Sequence, residues 1–120
     1  MATDDNKARV RRFFREVVSD GNLGAIDELL GASCRYFDAG SLRALGVSEF
    51  TEYLVEARRP FDSINVEIEN IVAEGNRVAV RCSYHLILEG ERSVVPVMAD
   101  FLFEGGRIVE MWRTVAARNR

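Results

Sequence analysis

Residues 94–115, VVPVMADFLFEGGRIVEMWRTV, alternate apolar and polar side chains on either side of Glu104-Gly105-Gly106, and they read as two long antiparallel strands joined by a tight turn. A three-residue loop with its last residue in the left-handed region suits Gly106, which has no Cβ to clash at positive φ. That loop predicts Phe103 opposite Arg107, Phe101 opposite Val109, Ala99 opposite Met111 and Val97 opposite Arg113 on one face. The other face then carries Leu102 with Ile108, Asp100 with Glu110, and Met98 with Trp112. A two-residue loop would reverse the faces of one strand, because side chains along a strand repeat every two residues.

Working outward, Gly90-Glu91 reads as a two-residue turn that brings a strand over 77–89 alongside. Leu86 then faces Val95, Tyr84 faces Val97, Cys82 faces Ala99 and Val80 faces Phe101, so three apolar faces coincide. Gly75-Asn76 joins this strand to another over 64–74. Upstream the period changes. Val10, Phe13, Phe14, Val17 and Val18 recur at helical spacing from Lys7 to Ser19, and Asp20-Gly21-Asn22 breaks that helix. Asn22 is placed to cap a short helix whose buried side is Leu23, Ile26, Leu29 and Leu30, with Gly31 at its end. Cys34 to Asp38 alternates as a short strand, Ala39 to Gly46 reads as a loop, and Ser48 is placed to cap a third helix, Glu49 to Arg59. The inward stripe of that helix is Phe50, Tyr53, Leu54 and Ala57; its acids lie in the first turn and its arginines in the last, as the helix dipole favours.

Helices first and a strand meander afterwards argue for an α+β domain, three N-terminal helices gathered on one face of a curved, mostly antiparallel sheet. Such a wrapped sheet leaves a cone, and a pocket forms at its open end. Residues 1–116 make one domain, with 117–120 as a loose tail.

The composition is that of an ordinary soluble domain: 120 residues, 48% hydrophobic, 29% charged, formal net charge -3. No basic cluster marks a nucleic-acid surface, no apolar run approaches a membrane span, and the acidic start MATDDNKARV does not read as a signal peptide, so a cytoplasmic location is expected. Cys34 and Cys82 fall on apolar sides of strands and read as buried free thiols. A single histidine and scattered acids offer no metal-ligand spacing.

The order α-α-β-α-β-β-β-β, with RRFFREVVSDGNLGAIDELL, CRYFDAGS, INVEIENIVAEGNRVAV and FLFEGGRIVEMW, resembles the SnoaL-like branch of the NTF2-like superfamily, to which polyketide cyclases, ketosteroid isomerases and limonene-type epoxide hydrolases also belong. The resemblance implies the cone-shaped NTF2-like fold, no metal or organic cofactor, and a homodimer through the outer face of the sheet. It places Asp38, in FDAGS, where ketosteroid isomerases carry their catalytic base. Those enzymes also hold the developing oxyanion with a tyrosine on the first helix and a protonated aspartic acid on the penultimate strand. Phe14 and Ala99 stand at those positions and donate no hydrogen bond, and losing one such donor costs on the order of 10²-fold in rate. The Arg-x-Asp pair of the epoxide hydrolases is absent from Met98-Ala99-Asp100.

Two readings of Asp38 remain open: a general base at the pocket mouth, or an Asx-turn capping Ala39-Gly40-Ser41. Arg113 falls on the inward face and needs a counter-charge; a ligand oxygen, Asp38 or solvent at a frayed strand end would each supply one. The expected pocket is completed by Phe14, Val17, Tyr36, Tyr53, Tyr84, Ala99, Phe101 and Met111. Asp100, opposite Arg81, and His85 are expected on the outer face, where Met98 and Trp112 form an apolar patch of the kind that meets a second subunit. The chain is thus expected either to isomerise or cyclise a hydrophobic, polycyclic or terpenoid-sized carbonyl compound by general-base proton transfer, or to serve as a non-catalytic ligand-binding or dimerisation module.

Overall fold

The computed structural model describes residues 2–116; the tail expected at 117–120 lies outside the described residues. Helix α1, Ala2–Arg12, starts earlier than the periodicity suggested and continues as a π-helical segment, Phe13–Ser19. The wider turn shows in its closing bonds, Asp20 N–H to Arg15 O at 3.0 Å and Asn22 N–H to Glu16 O at 2.8 Å. Both apolar pairs of this segment, Phe13-Phe14 and Val17-Val18, are buried. After Asn22, whose Oδ1 accepts the Gly24 N–H, come α2 (Gly24–Leu29) and β1 (Leu30–Asp38).

The loop expected over 39–46 is instead the turn and second strand of a hairpin: Ala39 and Gly40 both adopt positive φ, and β2, Ser41–Leu45, pairs back on β1. Helix α3, Gly46–Arg58, begins two residues before Ser48, so Ser48 is not its cap. Glu49 Oε1 reaches back 2.9 Å to accept the Leu45 N–H. The remaining chain is the expected meander: β3 (Ser63–Glu74), β4 (Arg77–Leu88), β5 (Glu91–Glu104) and β6 (Arg107–Val115). The six strands form one sheet in the order β2-β1-β6-β5-β4-β3, antiparallel except where β1 runs parallel to β6. Register shifts in the β1–β2, β3–β4 and β5–β6 ladders bend the sheet. No helix among the described residues is long and apolar enough to cross a membrane.

The β5–β6 hairpin turns on Gly105-Gly106, both at positive φ, so that Glu104 faces Arg107 and Phe103 faces Ile108. This two-residue loop reverses the faces expected at the start of β6: Ile108 is buried and Arg107 exposed. A bulge then leaves Val109 without a partner and reverses them again. Beyond it Phe101 faces Met111 and Ala99 faces Arg113, two residues away from the expected pairing but with Met111 and Arg113 still inward. The β4–β5 turn likewise sits on Glu89-Gly90, not Gly90-Glu91. Tyr84 therefore faces Val95 and Cys82 faces Val97, again on the expected sides.

A single cluster joins helix and sheet, with Phe13 and Phe14 each 5.6 Å from the Phe101 ring, edge to face. Cys34 and Cys82 are free and buried, and burial pushes their thiol pKa values up to about 12 and about 11.

The cap of α3 gives a direct test. Glu49→Ala should cost about 1 kcal/mol in urea denaturation, and Ser48→Ala should leave the midpoint in place. The reverse ordering would mean that Ser48 holds the helix start.

Candidate functional site

The parallel pairing of β1 with β6 sets Tyr36 beside Met111 and Asp38 beside Arg113, and the Ala39 N–H to Arg113 O bond, 2.9 Å, locks the ends together. Helix α3 supplies Tyr53 from above. Arg113 Nη2 donates to Asp38 Oδ2 at 2.7 Å, and the Tyr53 hydroxyl donates to the same oxygen at 3.0 Å. The guanidinium is also 3.4 Å from the Tyr53 oxygen and 5.9 Å from the Tyr84 ring centroid. Only 23% of the Arg113 side chain and 18% of that of Asp38 are exposed, so the pair is shielded from water. Of the three readings of Arg113, pairing with Asp38 is the one observed. The Asp38 carboxylate is engaged by Tyr53 and Arg113, not by the backbone of its turn.

Beside this cluster lies a cavity of about 220 Å³. Its wall is chiefly aromatic and aliphatic and includes Phe14, Tyr36, Tyr53, Tyr84, Ala99, Phe101, Met111 and Arg113, all expected there from the sequence. Val17 does not reach it; fully buried, it packs within the core. Asp38 does not line it either, and stands behind Tyr53 and Arg113. Phe50, Leu54 and Ala57, from the expected inward stripe of α3, also line it, as do Arg58, Phe61, Ile64 and Trp112, which the sequence did not place there. Arg58 was legible: it follows Phe50 and Leu54 at intervals of four, and so shares their helix face.

The polar groups of the cavity are donors. Burial raises the pKa of Tyr36 and pushes that of Tyr84 up to about 12, with Arg113 opposing both shifts, so at neutral pH both phenols keep their protons. Burial works against the charge of Arg113, but Tyr36, Tyr84 and Asp38 outweigh it and its pKa is raised. Arg113 Nε is buried without a partner. The donors missing at Phe14 and Ala99 thus have counterparts elsewhere on the wall, and Arg113 itself stands opposite Ala99 in the sheet.

The outer face behaves differently. Asp100 pairs with Arg77 at 3.4 Å, not with Arg81, and His85 Nε2 meets Glu67 at 3.0 Å. Trp112 stacks on Phe37 with ring centroids 4.0 Å apart, beside exposed Met98. Among the described residues no three His, Cys, Asp or Glu side chains gather as a metal would require.

A sequence model of the SnoaL-like domain matches residues 10–111. No curated protein sequence matches the chain. Solved structures do. A candidate SnoaL-like polyketide cyclase from Jannaschia sp. CCS1 superposes with a TM-score of 0.84 at 20% identity, over 94% of this chain and 86% of that one. Wild-type IdmH, a candidate polyketide cyclase from Streptomyces antibioticus, gives 0.81 at 17%, over 92% and 91%. An LEH-like epoxide hydrolase from M. tuberculosis gives 0.81 at 22%, over 95% and 84%. At such identities the likeness is one of fold.

The ion pair predicts an asymmetry. Asp38→Asn strands a shielded guanidinium that cannot lose its proton and should destabilise the protein by about 3 kcal/mol, whereas Arg113→Met leaves a carboxylate that keeps the Tyr53 hydrogen bond and can take up a proton, and should cost less. Chemical denaturation of the two variants and the double variant reads this. Losses below about 1 kcal/mol in both would mean that the pair is effectively solvated, and equally large losses that the two stranded charges cost the same.

Proposed function

The chain belongs to the SnoaL-like domain family, and from that premise we propose that it binds a small, mostly apolar molecule carrying a neutral carbonyl oxygen and moves a proton on it, as a cofactor-independent isomerase or cyclase would. The observation that carries the reading is a shielded guanidinium, already neutralised by Asp38 at 2.7 Å, at the wall of an apolar cavity. Because that charge is balanced, a ketone suits the site better than a free anion. A cavity of about 150 Å³ holds benzene, so one of about 220 Å³ has room for a ring with a short substituent.

The proton step follows from the hydrogen bonds. The C–H bond next to the carbonyl breaks, its proton passes to the Tyr53 oxygen as the Tyr53 proton passes to Asp38 Oδ2, and the electron pair moves onto the carbonyl oxygen. Arg113 and the phenols of Tyr36 and Tyr84 then face an enolate. Return of the proton at another carbon gives isomerisation, and attack of the enolate on a second carbonyl gives ring closure. Asp38 acts as the base through Tyr53, consistent with its position behind the cavity wall.

Acetophenone and its planar hydrocarbon isostere α-methylstyrene test the binding. NMR titration should show the ketone binding on the order of tenfold more tightly, about 1.4 kcal/mol, with the preference lost in Arg113→Met. Equal affinities would remove the basis of the reading. In D2O the protein should speed deuterium uptake at the acetophenone methyl group, and Tyr53→Phe and Asp38→Asn should both abolish it. Exchange at the buffer rate would leave a ligand-binding module without catalysis.

We further propose a homodimer through the outer sheet face, where Met98 is 62%, Val94 58% and Val72 57% exposed. Met98→Glu leaves the Phe37–Trp112 stack intact and should shift sedimentation to the monomer; an unchanged dimer would place the interface elsewhere.

A further inference from the structure

The cavity has a second guanidinium. Arg58, in the last turn of α3, lines the same wall, and it differs from Arg113 in the charge of its partners. Its Nη2 donates to the Ser19 carbonyl oxygen at 3.0 Å, a neutral acceptor. Its Nε is buried with no hydrogen-bond partner. Among the described residues it makes no ion pair: its neighbour Arg59 takes Glu56, and Asp20, adjacent to the Ser19 anchor, is exposed and unpaired with it. Room for the group is made by the backbone. Gly21 has a φ of +69°, which favours glycine, and a Cβ there would lie 2.9 Å from Arg58 Cζ and push the guanidinium aside.

A half-buried cation without a counter-charge, held at a cavity wall by a backbone carbonyl and a glycine, is arranged to receive an anion. We infer that the cavity binds a keto acid: the carbonyl oxygen meets Arg113 and a carboxylate at the other end of the molecule meets Arg58. This deepens the reading above and rests on it for the carbonyl end only. Along α3, Tyr53, in contact with Arg113, and Arg58 are five residues apart, roughly 7.5 Å of rise, so the two ends of the site are separated on the scale of a short-chain keto acid. The two arginines divide the work by their counter-charges. Arg113 carries Asp38 and donates to a neutral oxygen; Arg58 carries none and supplies the full charge that a carboxylate needs.

The test uses 4-oxo-4-phenylbutanoate and its isosteric amide, 4-oxo-4-phenylbutanamide, measured by titration calorimetry. Wild type should bind the acid at least about tenfold more tightly than the amide, with a preference that shrinks as salt is added. Arg58→Met should bring the acid-to-amide ratio close to one, and Arg58→Lys should restore part of it. Arg113→Met should weaken both ligands and leave their ratio unchanged. If Arg58→Met loses the Ser19 anchor and fails to fold, the Arg58→Lys ratio and the salt dependence of wild type carry the test. A wild-type ratio of one, or a preference that survives loss of the Arg58 charge, overturns the inference. The acetophenone comparison is independent of Arg58, so failure of the carboxylate end and failure of the carbonyl end show up in different ligands.

Discussion

A guanidinium cannot be shielded from water without a partner, and the architecture around the cavity follows from meeting that demand for Arg113. Its partner is not a neighbour in sequence. Asp38 lies 75 residues upstream and is brought beside it by the one parallel strand pair in the sheet, in a register fixed by the Ala39 N–H to Arg113 O bond. The turn after β1 therefore has two tasks: it starts the hairpin to β2 and holds a carboxylate against the end of β6. Tyr53, carried by α3, completes the same cluster, so the position of that helix over the sheet is coupled to the ion pair. A change at any one of the three residues reaches the other two.

The sequence showed the faces of the strands more reliably than their partners. Alternation along Val97, Ala99, Phe101 and Phe103 put the apolar side inward regardless of which residues stood opposite. Pairing depended on turn length and on a bulge. The two-residue turn at Gly105-Gly106 shifted β6 by one, the bulge at Val109 shifted it by one more, and the two together returned Met111 and Arg113 to the inward face. Ile108, between turn and bulge, is where the expectation failed, and it is buried. No local residue pattern announces such a bulge; it is fixed when the strand must meet both β5 and β1. The second strand was missed for a related reason. Ser41 to Leu45 is short and mostly exposed, and only its pairing with β1 marks it as a strand.

The site was legible in kind but not in assignment. Residues chosen because they were aromatic or small on inward faces line the cavity, whereas Val17 is absorbed into the core and Asp38 stands one layer back. Arg58 was passed over because an arginine in the last turn of a helix already has an explanation in the helix dipole. Its place on the Phe50–Leu54 stripe was the stronger signal, since the dipole accounts for a cation at that end of the helix but not for one on its buried side.

The arrangement of charge also bears on chemistry. In the proposed step, Arg113 first faces the carboxylate of Asp38 on one side and a neutral carbonyl on the other. After the step, Asp38 is neutral and the negative charge is on the ligand oxygen. The guanidinium keeps one counter-charge throughout; only the side on which it lies changes. Around Arg113 the proposed step neither adds a second anion nor leaves the cation bare, which is the property expected of preorganised electrostatic catalysis. A carbonyl polarised by Arg113 without Asp38 as the base would put two negative charges on one shielded arginine. The same accounting explains why a second, unbalanced arginine is useful. A carboxylate on the ligand can be neutralised only by a cation that is not already committed, and Arg58 is the cavity residue that meets that condition among those described.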